Sequence, residues 1–580
     1  MDTREQSARM SRRITRRAVL SQTLGLVGIG LLAACAPAAP ATAPTPAPAQ
    51  QAPATIAAPT QAAAAPTQPA GAPTQASAAP TAPAAAATTA PSAAGGTPRR
   101  GGTYTFGTGQ GFTTLDPHKP GLLNDQNVHH GLFDGLVRMN EAMEPQPALA
   151  ESWEVVDPQT YVFKLRRGVK FHNGREMTAD DVKFSLDRVA DPATASRWAT
   201  FSLPQYDHSE VVDPTTIKLV NKNPFAPQID GLAKLMIVAK ENVADVGTQP
   251  IGTGPFQFGE YVQDDHLTIK RFADYWDKEH VYLDQVVLKT IKDATAVVQA
   301  LKTGGVDSVW QLSTPHADEV VKDPNLALYH GQKNAVVQML MVDNNQPPFN
   351  DVRVRQALSL ATDRKAINEV AFYGQFLTHE YDVPLPEDNW AFNKNLAKAE
   401  FDLTKAKQLF DAAGVAGGTT LTFQAISTAN PEWVTTGEII QQSLSKIGLK
   451  VNIDKLDLAA WAAVFAPPQD KQWGARVITN GNVGYSDPFF FLVTLQSKSS
   501  TNFNHYKNDQ VDELLAKAQT TLERDQRMSL YAQAQEIIAK EVPCPFPYVQ
   551  VGLYGVTKAL KGFYAEADWV PHFENAWLER

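Results

Sequence analysis

The chain has 580 residues, 43% hydrophobic and 19% charged, with a net charge of −9. That is too apolar for a disordered chain and too polar for a protein that crosses a membrane many times. Residues 1–34 carry +4 and the remainder −13, so the body is acidic. An acidic body is a poor partner for nucleic acid, because that affinity rests on cation–phosphate contacts.

The first 34 residues read as an export signal. Ser11-Arg12-Arg13 and Thr15-Arg16-Arg17 offer two twin-arginine pairs, and an apolar run follows from Ala18 to Ala34. A basic region, an apolar run and small residues at a cut site describe a secretory signal, and paired arginines point to the route for folded proteins. Leu32-Ala33-Ala34-Cys35 is similar to a bacterial lipobox. It predicts that Cys35 becomes the lipidated first residue and ties the protein to the outer side of a membrane. Cys544 is the only other cysteine. It reads as a small buried residue, and no internal disulfide is expected.

Residues 36–98 contain 28 Ala, 14 Pro and 10 Thr, with no charge and no aromatic. Such a segment buries too little surface to offset its chain entropy. The expected job of 35–98 is reach, with a span of roughly 45 Å as a flexible chain. The folding unit is then 99–580.

Along that unit strand and helix signals alternate. Tyr104–Phe106 opens with a short strand. Ser152–Val156 and Tyr161–Leu165 flank the turn sequence Asp157-Pro158-Gln159-Thr160 and predict a hairpin. Thr178-Ala179-Asp180-Asp181 resembles a capping box, with Val182, Leu186 and Val189 on one helical face. A strand is expected over Phe256–Tyr261. Asp351 starts a helix with Val354, Ala357, Leu358 and Ala361 inward, and Thr404 starts one that stops at Gly414. Helices near 435–447 and 511–539 bracket a strand at Val451–Leu456 and a mixed segment at 476–493. The class is α/β with a mixed sheet in each of two lobes.

Catalytic motifs are missing. The chain has no Gly-x-Ser-x-Gly, no His-Glu-x-x-His and no phosphate loop ending in Gly-Lys-Ser/Thr. Gly107-Thr108-Gly109-Gln110-Gly111 has the glycines of a phosphate loop, but Leu115-Asp116-Pro117 stands where a helix should follow. His118, His129 and His130 match no standard metal spacing and read as helix-surface or core residues. No enzyme activity, cofactor or metal is expected.

Several motifs in register resemble one family. Arg100-Gly101-Gly102-Thr103-Tyr104, Thr114-Leu115-Asp116-Pro117-His118 and Pro147–Trp153 open it. The segment from Tyr161 to Gly174, followed by Thr178–Val182, is the most specific match. Gly252-Thr253-Gly254-Pro255-Phe256, Phe349–Leu358, and Asp525, Arg527, Leu530 and Tyr531 continue in order. Over essentially all of 99–580 the chain resembles the family 5 bacterial extracellular solute-binding proteins.

The resemblance implies a two-lobed fold of the periplasmic-binding-protein type II kind, with an extra subdomain on the first lobe. The first lobe would comprise about 99–148, 250–335 and 536–580. The subdomain would be 149–249 and the second lobe 336–535. It further implies a monomer that holds a small solute between its lobes and hands it to an ABC transporter permease and its ATPase. Peptides are a major ligand class of the family, and sensory receptors or binders of neutral oligosaccharides are alternatives. In its peptide binders an Asp three residues before an acidic-Pro pair holds the ligand amine. Here the pair is Asp487-Pro488, and Gly484 stands at that position. The segment carrying Asn480, Asn482, Gly484, Tyr485 and Asp487 is expected to line the cleft, with Trp461 and Trp473 as stacking surfaces. The plainer account of each Trp is core packing, and of Asp487 the start of a helix or turn.

Overall fold

The computed structural model describes residues 97–580 apart from 120, 122, 141–142, 332–335, 376, 416–418, 428–430, 467–470, 484–485 and 567–568. The signal segment, Cys35 and all but the last two residues of the linker lie outside these. Three sheets organise the described chain.

The first is a mixed seven-stranded sheet. Its order is Leu326–His330, Leu553–Thr557, Ser308–Val309, Thr103–Thr108, Gln285–Thr290, His266–Arg271 and Phe256–Val262. The opening strand Thr103–Thr108 runs parallel to both its neighbours, and the outer pairings are antiparallel. Tyr104 and Phe106 point into the core beneath it with no exposed surface.

The second sheet has six strands, ordered Leu377–Thr378, Tyr548–Gln550, Val336–Met341, Arg476–Val483, Thr420–Ile426 and Lys450–Leu456. Helices Val352–Leu360, Leu403–Ala412, Pro431–Lys446 and Arg524–Glu541 bury apolar residues in the same core. Asp351 accepts the Arg353 N–H at 2.9 Å and starts its helix as expected. The next helix is capped two residues earlier than its sequence suggests. Asp402, rather than Thr404, accepts the first amides, from Thr404 and Lys405, as a carboxylate at the N-cap does. Gly414 ends the turn after it with φ +73°.

The third sheet is antiparallel, ordered Ala150–Asp157, Thr160–Leu165, Thr216–Asn221 and Tyr206–Asp213. Its first two strands are the expected hairpin. Asp157 accepts the Gln159 N–H at 2.8 Å inside the turn. The helix Ala179–Ala190 packs on this sheet through Val182, Leu186 and Val189, all fully buried. Asp181 accepts the Thr178 N–H at 3.0 Å, one half of the capping box.

The sheets define a two-lobed α/β body with a subdomain on the first lobe. The strand Tyr548–Gln550 still belongs to the second sheet and Leu553–Thr557 to the first. Position 535/536 lies inside the helix Arg524–Glu541, and the strands on either side of Val551-Gly552 belong to different sheets. The segment at 511–539 is two helices, Asp509–Thr520 and Arg524–Glu541, broken at 521–523.

Candidate functional site

Two chain segments cross between the large sheets. One leaves the first sheet after His330, and the other returns to it before Leu553. They touch at Gly331, whose N–H donates to the Gly552 carbonyl at 2.7 Å. Gly552 is required by its neighbours: a Cβ there would lie 2.8 Å from Trp569 Cδ1 and 3.0 Å from Tyr554 Cε2.

Trp569 is clamped beside this crossing. Its carbonyl accepts from Trp310 Nε1 at 3.1 Å and from the Tyr554 hydroxyl at 2.6 Å. Its backbone is left-handed, φ +67°, an unfavourable state for a bulky side chain. Its indole Nε1 is buried without an acceptor, which is costly unless something supplies one. Tyr554 also belongs to a first-lobe aromatic cluster with Tyr329 and Phe563, their ring centroids 5.2–5.8 Å apart. Spacing alone did not mark Trp569. The signals are its backbone and its unanswered N–H.

On the second lobe, Asn480 and Asn482 lie on the strand Arg476–Val483. Asn480 Nδ2 approaches Met341 Sδ at 3.3 Å, and its Oδ1 accepts the Gly481 N–H. Asn482 is buried and donates to the Phe491 carbonyl at 2.8 Å. Gly484 and Tyr485 lie outside the described residues. Trp461 and Trp473 both flank Phe465, at 4.8 and 5.8 Å, in an aromatic cluster of the second lobe. Trp461 Nε1 donates to the Thr479 carbonyl at 2.9 Å, and the Trp473 N–H to Asp343 at 3.0 Å.

Asp487 is held by three neighbours. Its Oδ1 accepts from the Phe489 N–H at 2.9 Å and from the Tyr531 hydroxyl at 2.8 Å, and its Oδ2 faces Arg527 Nη2 at 3.2 Å. It holds the start of the short helix Phe489–Leu492. Phe489 and Phe490 from that helix enter the subdomain core, where Phe489 meets the edge of Phe225 at 5.2 Å. The Ala226 N–H donates to the Gln519 carbonyl at 2.7 Å across the same seam. Asp230, three residues beyond Pro227 on the subdomain side, faces Asp487. Burial and then the Asp487 charge raise its carboxyl well above the usual range.

A second charged cluster lies within the first lobe. Lys234 pairs with Glu566. His572 Nε2 contacts Glu566 and its Nδ1 contacts Glu574, both at 2.9 Å, with Tyr564 stacked on the ring. Burial opposes charge on His572, but Glu574 and Glu566 outweigh it and raise the imidazole to about 9. His130, Glu566 and His572 bring ligand atoms within 4.8 Å of one another, a spacing open to a metal ion. The donor set does not favour one: the shift to about 9 favours the doubly protonated form of His572, and the Lys234 ammonium already pairs with Glu566. His118 and His129 are buried in the core, and burial drives both well below the usual imidazole range.

An open hollow of about 850 Å³ lies along the helix Pro431–Lys446 and the strand start at Lys450–Asn452. It is lined by second-lobe residues alone, so it is separate from the crossing.

The family described as bacterial extracellular solute-binding proteins, family 5 Middle, matches residues 144–503. The glutathione-binding protein GsiB of Shigella flexneri serotype 5b is 31% identical over 488 residues, covering 81% of this chain and 93% of that one. The periplasmic binding protein DppA of Helicobacter pylori, solved with the peptide STSA, superposes with a TM-score of 0.74. It is 28% identical and covers 83% of this chain and 99% of that one. The oligopeptide-binding protein AppA of Bacillus subtilis, solved with a nonapeptide, has a TM-score of 0.73 at 23% identity, which shows the fold alone. It covers 83% of this chain and 100% of that one.

Proposed function

Because the chain belongs to family 5 of the bacterial extracellular solute-binding proteins, we propose that it closes its two lobes on a peptide-type solute beside the paired crossings at Gly331 and Gly552. Proteins of this family bind peptides or small solutes for ABC importers, outside the cytoplasm, and its relatives are binding proteins rather than enzymes. The observation that carries the reading is the Gly331–Gly552 contact. Crossings that lie side by side at one edge let two lobes open and shut as jaws. Trp569, with its unanswered indole N–H, would offer the solute a hydrogen bond at the closed end of that cleft. From the second lobe, the segment 480–487 would meet it.

Peptide-type ligands are supported by the relatives, one named for glutathione and one solved with a peptide. A neutral solute is the second reading, and one observation favours it. Asp487 is committed to Arg527 and Tyr531, and glycine stands at position 484. Neither position then supplies a carboxylate for a ligand ammonium, whose burial alone is costly. Mass spectrometry of solute retained by the purified protein tests both. A compound with a free α-amine supports the peptide reading, an uncharged oligomer supports the second, and turnover of the retained compound overturns both.

The remaining parts of the reading concern residues 1–98. Twin-arginine export, lipid on Cys35 and a long tether would keep the monomeric body near its permease and ATPase, free to dock in any orientation.

A further inference from the structure

Gln338 is the one polar residue of the strand Val336–Met341 and is 2% exposed. Its Nε2 donates to Gln550 Oε1 at 2.8 Å, while its own Oε1 is buried with no donor facing it. Gln550 ends the strand Tyr548–Gln550, two residues before Gly552. Gly552 in turn lies against Trp569, where a Cβ would sit 2.8 Å from Cδ1, the ring atom bonded to Nε1. Two unanswered groups of opposite polarity therefore flank one crossing. The second lobe brings the Gln338 carbonyl and the first lobe the Trp569 indole N–H.

The place of the Gln338 amide is built into the sheet. Gly481 stands opposite Gln338 on the next strand. A Cβ at 481 would lie 2.9 Å from Gln338 Nε2 and 2.5 Å from Val336 Cγ1. A side chain there would push the amide off Gln550. Trp569 is fixed as well, through the Trp310 and Tyr554 bonds to its carbonyl. A buried acceptor and a buried donor held in place without partners are costly.

We propose that Gln338 Oε1 and Trp569 Nε1 are the two halves of an uncharged clamp that reads one peptide group of the solute. The solute N–H donates to Gln338 Oε1, and the solute carbonyl accepts from Trp569 Nε1. In a trans peptide group these two point to opposite sides, which suits an acceptor on one lobe and a donor on the other. Neither half carries a charge, so the clamp holds a neutral group and not a terminal ammonium, whose burial needs a counter-charge. The inference rests on the reading that the lobes close on a peptide-type solute beside the crossing. It adds which part of that solute is gripped, and it makes Gln338 a specificity-determining residue.

The test starts from the solute-free, full-length protein, with the tryptic peptides of casein as the probe. Peptides retained after dialysis are identified by mass spectrometry, and the affinity for the most abundant one is measured by calorimetry. Gln338→Met keeps the length of the side chain and removes its carbonyl. Its affinity is expected to be at least tenfold weaker than that of the wild type. Methylating the gripped N–H blocks the same bond from the solute side. Moving that methyl along the peptide should find one position where the wild type loses at least tenfold and Gln338→Met less than threefold. A general disturbance of the site would not produce that difference. If thermal unfolding shows that Gln338→Met is not folded, Trp569→Phe, which removes the other half, carries the test with the same tenfold loss. A smaller loss in the folded variant, or equal methylation losses in both proteins at every position, overturns the clamp and leaves the peptide reading standing. A wild type that retains no peptide overturns the clamp and the peptide reading together, and leaves the neutral-solute reading standing.

Discussion

Gly331 and Gly552 are 221 positions apart in the chain and share one hydrogen bond, 2.7 Å from N–H to carbonyl. The bond ties together the segments that join the two large sheets. A crossing built this way concentrates bending at a few backbone positions. At Gly552 it also leaves no room for a side chain.

Gly552→Ala is therefore expected to destabilise the protein by about 1–3 kcal/mol, the usual cost of overpacking. The new Cβ would meet Trp569 and Tyr554 at 3.0 Å or less. Neither ring can give way easily, since the Tyr554 hydroxyl is fixed to the Trp569 carbonyl. Thermal unfolding of the solute-free variant checks this. An unchanged midpoint would mean that the rings move freely.

The crossing itself was not legible in the sequence. Val549-Gln550-Val551-Gly552-Leu553 alternates like a single strand, and nothing in it marks the change from one sheet to the other. The elements with strong local signals were legible. Asp351 starts its helix, Asp157-Pro158-Gln159-Thr160 turns its hairpin, and Val182, Leu186 and Val189 are buried as their spacing required. Residues whose meaning depends on distant partners were not. Arg527 and Tyr531 stood out as family motif, but only the fold shows that both hold Asp487, 40 and 44 positions away. Asp230 gave no signal, because its partners lie on another lobe.

The buried His572 predicts a stability profile at alkaline pH. Its folded value is raised to about 9 by Glu574 and Glu566, against about 6.5 unfolded. A raised basic group contributes stability that is complete below about 6.5 and is lost as the pH climbs through about 9. Wild-type stability should fall by about 1–3 kcal/mol between pH 7 and 10 from this group. His572→Gln should start lower at pH 7 and fall less. Denaturant unfolding at the two pH values separates the cases, and parallel slopes for both proteins would assign the charge elsewhere.

Cys35→Ser should release the protein from the membrane fraction. The expectation comes from Leu32-Ala33-Ala34-Cys35 and the apolar run before it. Fractionation followed by detection of the body gives the answer. A variant that remains membrane-bound would identify the run 18–34 as an uncleaved anchor.

The ion pair at the seam allows a sharper test of what Arg527 does. Asp487 is 1% exposed and Arg527 pairs with it at 3.2 Å. Arg527→Met keeps most of the side-chain length but removes the only cation paired with Asp487 among the described residues. A buried carboxylate left alone is strongly unfavourable, so this variant should lose about 3–5 kcal/mol. Asp487→Asn should lose less, because the Tyr531 hydroxyl and the Phe489 N–H can still donate to the amide oxygen. The double variant, with neither charge, should recover much of the loss, since the burial penalty of both ions is removed together. A double-mutant cycle by denaturant unfolding gives the coupling. Additive losses would show that Arg527 and Asp487 do not stabilise one another. A recovery in the double variant would show that the arginine is there because the carboxylate is.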